Sequence, residues 1–325
     1  MLNNSFRTEI LKLKTEQTIT HKDPILLVGS CFAESIAEKL ARYKFTINNN
    51  PFGILYNSAS IAQSLDLLTE SSLFQEDDLF FTREEWISFL HHGRFSNSDK
   101  KQCLRNINHA LIEGRQFLKD ARFLIITLGT SIVYKRQGKV VANCHKLPAH
   151  EFSKTMFTAE ETERLLTETI TKIRAVNENI FIIVTVSPVR YIKDDFTQNT
   201  LSKANLIVAV HSLLNKFENC FYFPAYEIMM DDLRDYRFYN LDMIHPATVA
   251  IDYIWDKFSN LFFNYETIKM NEQIEEIVAA RNHRIKNPQS EASSRFIEGQ
   301  MKKIQQLQSQ YPYIQFEKGI KCFSQ

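Results

Sequence analysis

Two short stretches place nucleophile chemistry at distant points of the chain. Gly29-Ser30-Cys31-Phe32-Ala33 follows the apolar run Ile25-Leu26-Leu27-Val28 and opens a segment of helical period. A serine at such a strand-to-helix turn has its hydroxyl at the carboxyl edge of a sheet, with helix N–H groups nearby to receive negative charge. Gly29 permits a tight turn and close approach. The plainer reading is that Ser30 N-caps the helix. Asp242-Met243-Ile244-His245-Pro246 sets a carboxylate three residues before an imidazole. On a turn this spacing puts both side chains on one side, so Asp242 can hold the tautomer of His245, and His245 can take a proton from Ser30. The plainer reading here is a capped turn beside a surface histidine. If the two halves meet, Ser30 Oγ is expected within hydrogen-bond reach of the His245 ring.

Other residue types offer weaker chemistry. Cys31 has no local histidine partner and reads as a thiol facing a sheet–helix interface. His91, His92, His145 and His245 match no zinc spacing, so no metal is expected. His92 and His145 fall in loop segments and are candidates for binding polar substrate groups, against simple loop hydrogen bonding. Arg190 stands just past an apolar run, where ligands of open sheets bind, and could receive an anionic or sugar group. Lys146, Arg234 and Arg237 are further cationic candidates. The Arg234–Tyr239 run alternates cation and aromatic, which suits sugar stacking or a structural lid and is too short for a nucleic-acid groove. The patterns GxxxxGK[ST], GxGxxG and GxSxG are absent, so no cofactor is expected and an α/β-hydrolase elbow is excluded.

The elements that must hold these residues read as an alternating α/β chain. Strands are expected at 25–28, 45–47, 123–127, 180–186 and 221–223. Helices are expected at 30–42, 58–68, 104–119, 202–216 and from Pro246 at a first turn to 262. Thr158-Ala159-Glu160-Glu161 is a capping box that starts another helix reaching about residue 176. A hairpin is expected around Gln137-Gly138. Residues 71–98 read as an irregular aromatic insertion. Beyond Tyr265 the pattern becomes polar and helical, with helices at 271–284 and 292–308 and no strands.

Composition narrows the class. The 325 residues carry 39 Lys+Arg against 38 Asp+Glu, a net charge of +1, which argues against nucleic acid as the main partner. Five scattered cysteines with no CxxC pair read as reduced thiols. The first residues have no apolar signal-like core, and no run is long enough to span a bilayer, so a cytoplasmic location is expected.

The early strand–Gly–Ser–helix and the late DxxHP resemble the SGNH/GDSL hydrolase superfamily. The literal Gly29–Ala33 string is similar to the signature of its GSCFA family. Asn50-Pro51-Phe52-Gly53, Leu128-Gly129-Thr130, Asn143-Cys144-His145-Lys146 and Ser202-Lys203-Ala204 resemble that family too, over about residues 20–262. The resemblance implies a three-layer α/β/α, flavodoxin-like SGNH-hydrolase fold with a five-stranded, mainly parallel sheet in the order 2-1-3-4-5. The domain would cover 15–264, with a C-terminal helical extension over 265–325 that could pair copies of the chain. It implies Ser30 as nucleophile, His245 as general base and Asp242 as orienter. The oxyanion hole would use the N–H of Ser30, Gly53, and a third donor. The superfamily has Gly-x-Asn where this chain reads Gly129-Thr130-Ser131, so Thr130 or Asn143 would supply that donor. His92, His145, Arg190 and Arg237 would bind substrate. The implied activity is a serine esterase acting on an acyl, most simply acetyl, ester of a carbohydrate. The alternatives are an acyltransferase with the same triad and a non-catalytic module that binds a glycan or acylated ligand.

Overall fold

The computed structural model describes residues 8–10, 13–282 and 290–314. They divide into two compact units. One holds 8–10, 24–37 and 47–256; the other holds 13–23, 38–46, 257–282 and 290–314. The second unit therefore includes 13–23, 38–46 and 257–264 besides the described residues from 265 on.

The first unit is built on five parallel strands: β1 Ile25–Gly29, β2 Ile47–Asn49, β3 Phe123–Leu128, β4 Phe181–Val186 and β5 Cys220–Tyr222. Their spatial order is β5-β4-β3-β1-β2, the expected 2-1-3-4-5. β1, β3 and β4 are buried at every position, as continuous apolar runs in a covered parallel sheet must be. Alternate residues Leu26, Val28, Leu124, Ile126, Ile182 and Val184 join one core with four helices. These are α2 Ser58–Thr69, α3 Lys100–Asp120, α4 Ala159–Val176 and α5 Phe196–Leu214. α1, Cys31–Arg42, connects β1 to β2 in the opposite direction along the sheet. Right-handed crossovers therefore put it on the opposite face, which makes three layers. The chain reverses direction between β1 and β3, and a crevice opens there at the carboxyl ends of the strands.

Element ends differ from the sequence reading for local reasons. β2 starts at Ile47, not Phe45, because α1 closes with Lys44 at φ 67° and Phe45 N–H donating to Leu40 O. Phe45 is spent on a ring stack with His21, at 4.1 Å between centroids. α3 begins four residues early because Asp99 caps it, accepting from Gln102 N–H. α6, Thr248–Phe262, begins two residues after Pro246, so that proline precedes the first turn instead of filling it. The capping box of α4 forms as read, with Thr158 and Glu161 exchanging hydrogen bonds. The 71–98 insertion contains an antiparallel ribbon, Phe80–Thr82 with Glu85–Ile87. The Gln137-Gly138 hairpin gains a third strand, Ser153–Met156.

In the second unit, α7 (Tyr265–Asn282) and α8 (Glu291–Gln310) bury Met270, Ile274, Ile277, Ile304 and Leu307 together. The expected helix end at Arg284 and the thiol of Cys322 lie outside the described residues. The cysteines Cys31, Cys103, Cys144 and Cys220 are free thiols. No helix among the described residues is long and apolar enough to cross a membrane.

Candidate active site

Ser30 sits where β1 ends and α1 begins, at the crevice between β1 and β3. The turn requires Gly29: its φ is 145°, and a Cβ there would stand 2.2 Å from Thr127 O on β3. Ser30 N–H donates to that same carbonyl at 3.1 Å. The Ser30 side chain is 1% exposed, and its Oγ bonds to nothing among the described residues. It therefore does not cap α1, and the plain capping reading fails. A buried hydroxyl with no internal partner is held ready for an outside one.

The Asp242–His245 turn is organised by its carboxylate. Oδ1 accepts the backbone N–H of Ile244 at 2.9 Å and of His245 at 3.0 Å, while Oδ2 stands 2.7 Å from His245 Nδ1. The two backbone donors, with the imidazole behind them, hold the Asp242 carboxyl down to about 2. With Nδ1 fixed on Asp242, Nε2 is the nitrogen left for a reacting group. Ser30 and His245 line one cavity of about 510 Å³, at the crevice. No hydrogen bond joins Ser30 Oγ to the His245 ring among the described residues, so the direct contact expected from sequence is not made.

The expected backbone oxyanion donors are occupied. Besides Ser30 N–H, Thr130 N–H is taken by Tyr56 O at 2.9 Å and Gly53 N–H by Asn50 O at 2.7 Å. Thr130 Oγ1 pairs with Ser202 Oγ at 2.8 Å. Thr130 does line the Ser30 cavity; Gly53 does not. Gly53 is needed elsewhere: at φ 79° its missing Cβ makes room for the His92 side chain, 2.2 Å from where that atom would be. Asn143 lies with His92 and His145 in a separate cavity of about 370 Å³, where its Oδ1 accepts His145 N–H. Arg190 lines the Ser30 cavity. Arg237 does not; it is solvent-exposed and pairs with Asp235 at 3.0 Å. His91 is a core residue, stacked on Phe52 at 4.7 Å and bonded through Nδ1 to Ser88 Oγ.

Two residues of the site carried no assigned role in the sequence reading. Lys203 on α5 is 1% exposed, and its Nζ donates to Gly129 O and Ser187 O, each at 2.7 Å. Both acceptors line the Ser30 cavity, one after β3 and one after β4. Burial pulls the Lys203 ammonium down to about 7, against the opposing pull of the nearby Cys31 thiol. Its helical spacing held the signal: Lys203 shares a face with buried Leu206, Val210 and Leu213. Asn50 Oδ1 accepts Gly29 N–H at 2.8 Å and so fixes the end of β1 from the β2 side.

Among the described residues no group of three or more His, Cys, Asp and Glu is placed to hold a metal ion. Among solved structures, the chain is similar to the Clostridium thermocellum family 3 carbohydrate esterase at 10% identity and a TM-score of 0.35. That match covers 77% of this chain and 97% of the other. A carbohydrate esterase family 3 structure from Talaromyces cellulolyticus matches at 8% identity and a TM-score of 0.36, over 78% of this chain and 99% of the other. No curated protein matches. Residues 274–325 match the C-terminal domain described for GSCFA domain proteins. Residues 24–258, which carry the whole Ser30–His245 crevice, match the GSCFA family, and the chain belongs to that family.

Proposed function

We propose that the chain is a serine esterase that works through Ser30, His245 and Asp242. One observation carries this reading: Ser30 Oγ is unbonded in the same cavity that receives a histidine already oriented by a carboxylate. Ser30 Oγ attacks the ester carbonyl, and its proton passes to His245 Nε2. The bond to the alcohol breaks, and the alcohol leaves with that proton. Water then attacks the acyl-enzyme, giving a proton to His245 that returns to Ser30 Oγ as the carboxylic acid departs. Hydrogen bonds at such sites commonly tighten only with substrate, which accommodates the open Ser30–His245 contact.

The developing negative charge meets the start of α1. Cys31, its first residue, has no intrahelical acceptor for its N–H and lines the cavity. This donor takes the place of the occupied N–H groups named from sequence. Acetylated carbohydrate is the substrate class that the SGNH resemblance supports.

Labelling by a serine-reactive fluorophosphonate, with aryl acetate hydrolysis alongside, tests the reading. Wild-type protein should be labelled and turn over the ester; Ser30→Ala should do neither, and His245→Ala should label far more slowly. Wild-type protein that is neither labelled nor active would return the cavity to the ligand-binding alternative. Labelling with turnover only in the presence of an alcohol acceptor would make it an acyltransferase.

A further inference from the structure

Arg190 is an arginine with nothing to hold. Its Nε is buried without a hydrogen-bond partner, and its Nη1 meets only the Met230 sulfur at 3.5 Å, a weak acceptor. The guanidinium lies 5.6 Å from the Phe196 ring centroid, and no carboxylate pairs with it among the described residues. Other half-buried arginines are served from within the fold. Arg136 pairs with Glu151 at 3.0 Å, and Arg115 gives Nε and Nη2 to Leu67 O. Leaving a partly buried cation unserved is costly unless a ligand brings the missing acceptor.

The surroundings agree in sign. Arg190 lines the Ser30–His245 cavity, and so does Lys193, an exposed cation with no ion pair among the described residues. No aspartate or glutamate lines that cavity. Lys203 lies behind its wall, bonded to the carbonyls of Gly129 and Ser187. The backbone ties Arg190 to the reacting end as well, since its N–H donates to Ile244 O, next to His245, at 3.2 Å. Hydroxyls of a neutral sugar would leave the guanidinium charge uncompensated, whereas a carboxylate or phosphate matches its planar fork.

We infer that the ester acted on here carries an anionic group, and that Arg190, seconded by Lys193, receives it. This inference rests on the esterase reading and narrows its substrate class: the overall charge balance of the chain conceals a locally cationic pocket.

Two matched pairs of esters test it. Mono-p-nitrophenyl glutarate against its methyl ester puts the charge on the acyl side; p-acetoxybenzoate against its methyl ester puts it on the alcohol side. In one pair, wild-type kcat/KM should favour the anion by about 10- to 100-fold, the range of a charge-assisted hydrogen bond pair. Arg190→Gln should bring that ratio close to one, and Arg190→Lys should restore part of it. Arg164→Gln, on the exposed side of α4, removes one positive charge elsewhere and should keep the wild-type ratio. A wild-type ratio at or below one in both pairs would overturn the inference, as would an Arg190→Gln variant that loses both members of a pair equally. If no ester is cleaved and no fluorophosphonate label appears, the esterase reading alone fails. Calorimetric binding of p-acetoxybenzoate to wild type and Arg190→Gln then decides the anion site: binding lost in the variant supports it, and equal or absent binding in both overturns it.

Discussion

Lys203 Nζ reaches the carbonyl oxygen of Gly129 across 2.7 Å from a position on α5 that is 1% exposed. The same ammonium holds Ser187 O, so one side chain ties together the segments that leave β3 and β4. Lys203→Met keeps the length but strands both carbonyls, and it should lower stability by about 2–4 kcal/mol. The pH dependence follows from the fall of this ammonium to about 7 on burial. Between about 7 and the ordinary lysine value the unfolded chain binds a proton that the folded chain lacks, so this lysine makes stability rise with pH. Chemical denaturation of both proteins from about pH 6 to about pH 10 should show the two profiles diverging as the wild type gains. Parallel profiles would mean that Lys203 does not titrate in that window.

Asp242→Asn keeps the size of the side chain but removes the charge that stabilises an imidazolium at His245. The expected loss in kcat for a cleavable aryl ester is about four orders of magnitude. The carboxyl is held down to about 2, so its contribution to stability is complete above the ordinary carboxylate value and is lost as pH falls toward 2. The thermal midpoint of wild type should exceed that of the variant by a constant margin above about pH 4 and converge on it in stronger acid. A margin that grew with acid would contradict this.

Gly29→Ala would drive a Cβ to 2.2 Å from Thr127 O at a φ of 145°, against backbone that cannot swing aside. It should cost about 3 kcal/mol or more, or prevent folding. Gly138→Ala is the comparison, because φ is 77° there but nothing stands within 4 Å. Its cost should stay near about 1–2 kcal/mol. Equal midpoints for the two variants would show that the close approach of β1 to β3 is not what fixes the glycine.

His91 is buried in the insertion, and burial, aided by His145, pulls its imidazole down to about 3. The unfolded chain binds a proton that this residue refuses when folded, so stability falls as pH drops from about 6.5 toward 3. His91→Phe preserves a ring against Phe52 and should flatten the acid side of the stability profile. Differential scanning calorimetry through that range would show the difference, and identical acid slopes would exclude His91 as its source.

The parallel sheet was legible because fully apolar runs such as Phe123–Leu128 have few other places to go. The Gln137-Gly138 turn was legible through its glycine. The ribbon at Phe80–Ile87 was not, because Arg83 and Glu84 take positive φ without glycine or asparagine to announce it. At the site, Ser30 was readable because it stands between a strand and a helix, Arg190 because it comes soon after a strand, and His245 through its spacing from Asp242. Gly53, Asn143, His92 and His145 sit in turns whose path depends on tertiary packing; His145 and Lys146 both take positive φ. The gathering of Asn143, His92 and His145 in a second cavity had no local signature. Lys203 stayed hidden because a lysine within a helix ordinarily belongs to the solvated side, and only its register with Leu206, Val210 and Leu213 says otherwise.

The Asp242 carboxylate accepts two backbone N–H groups of its own turn besides the imidazole, whereas the Ser30 hydroxyl accepts and donates nothing. The two residues therefore stand under unequal structural obligation. A lineage that abandoned catalysis would pay at once for losing the acid, since the turn would come undone, but could exchange the serine with little penalty to the fold. Decay of this site in a descendant should begin at the nucleophile, and an Asp-x-x-His turn facing an alanine would be the fossil it leaves.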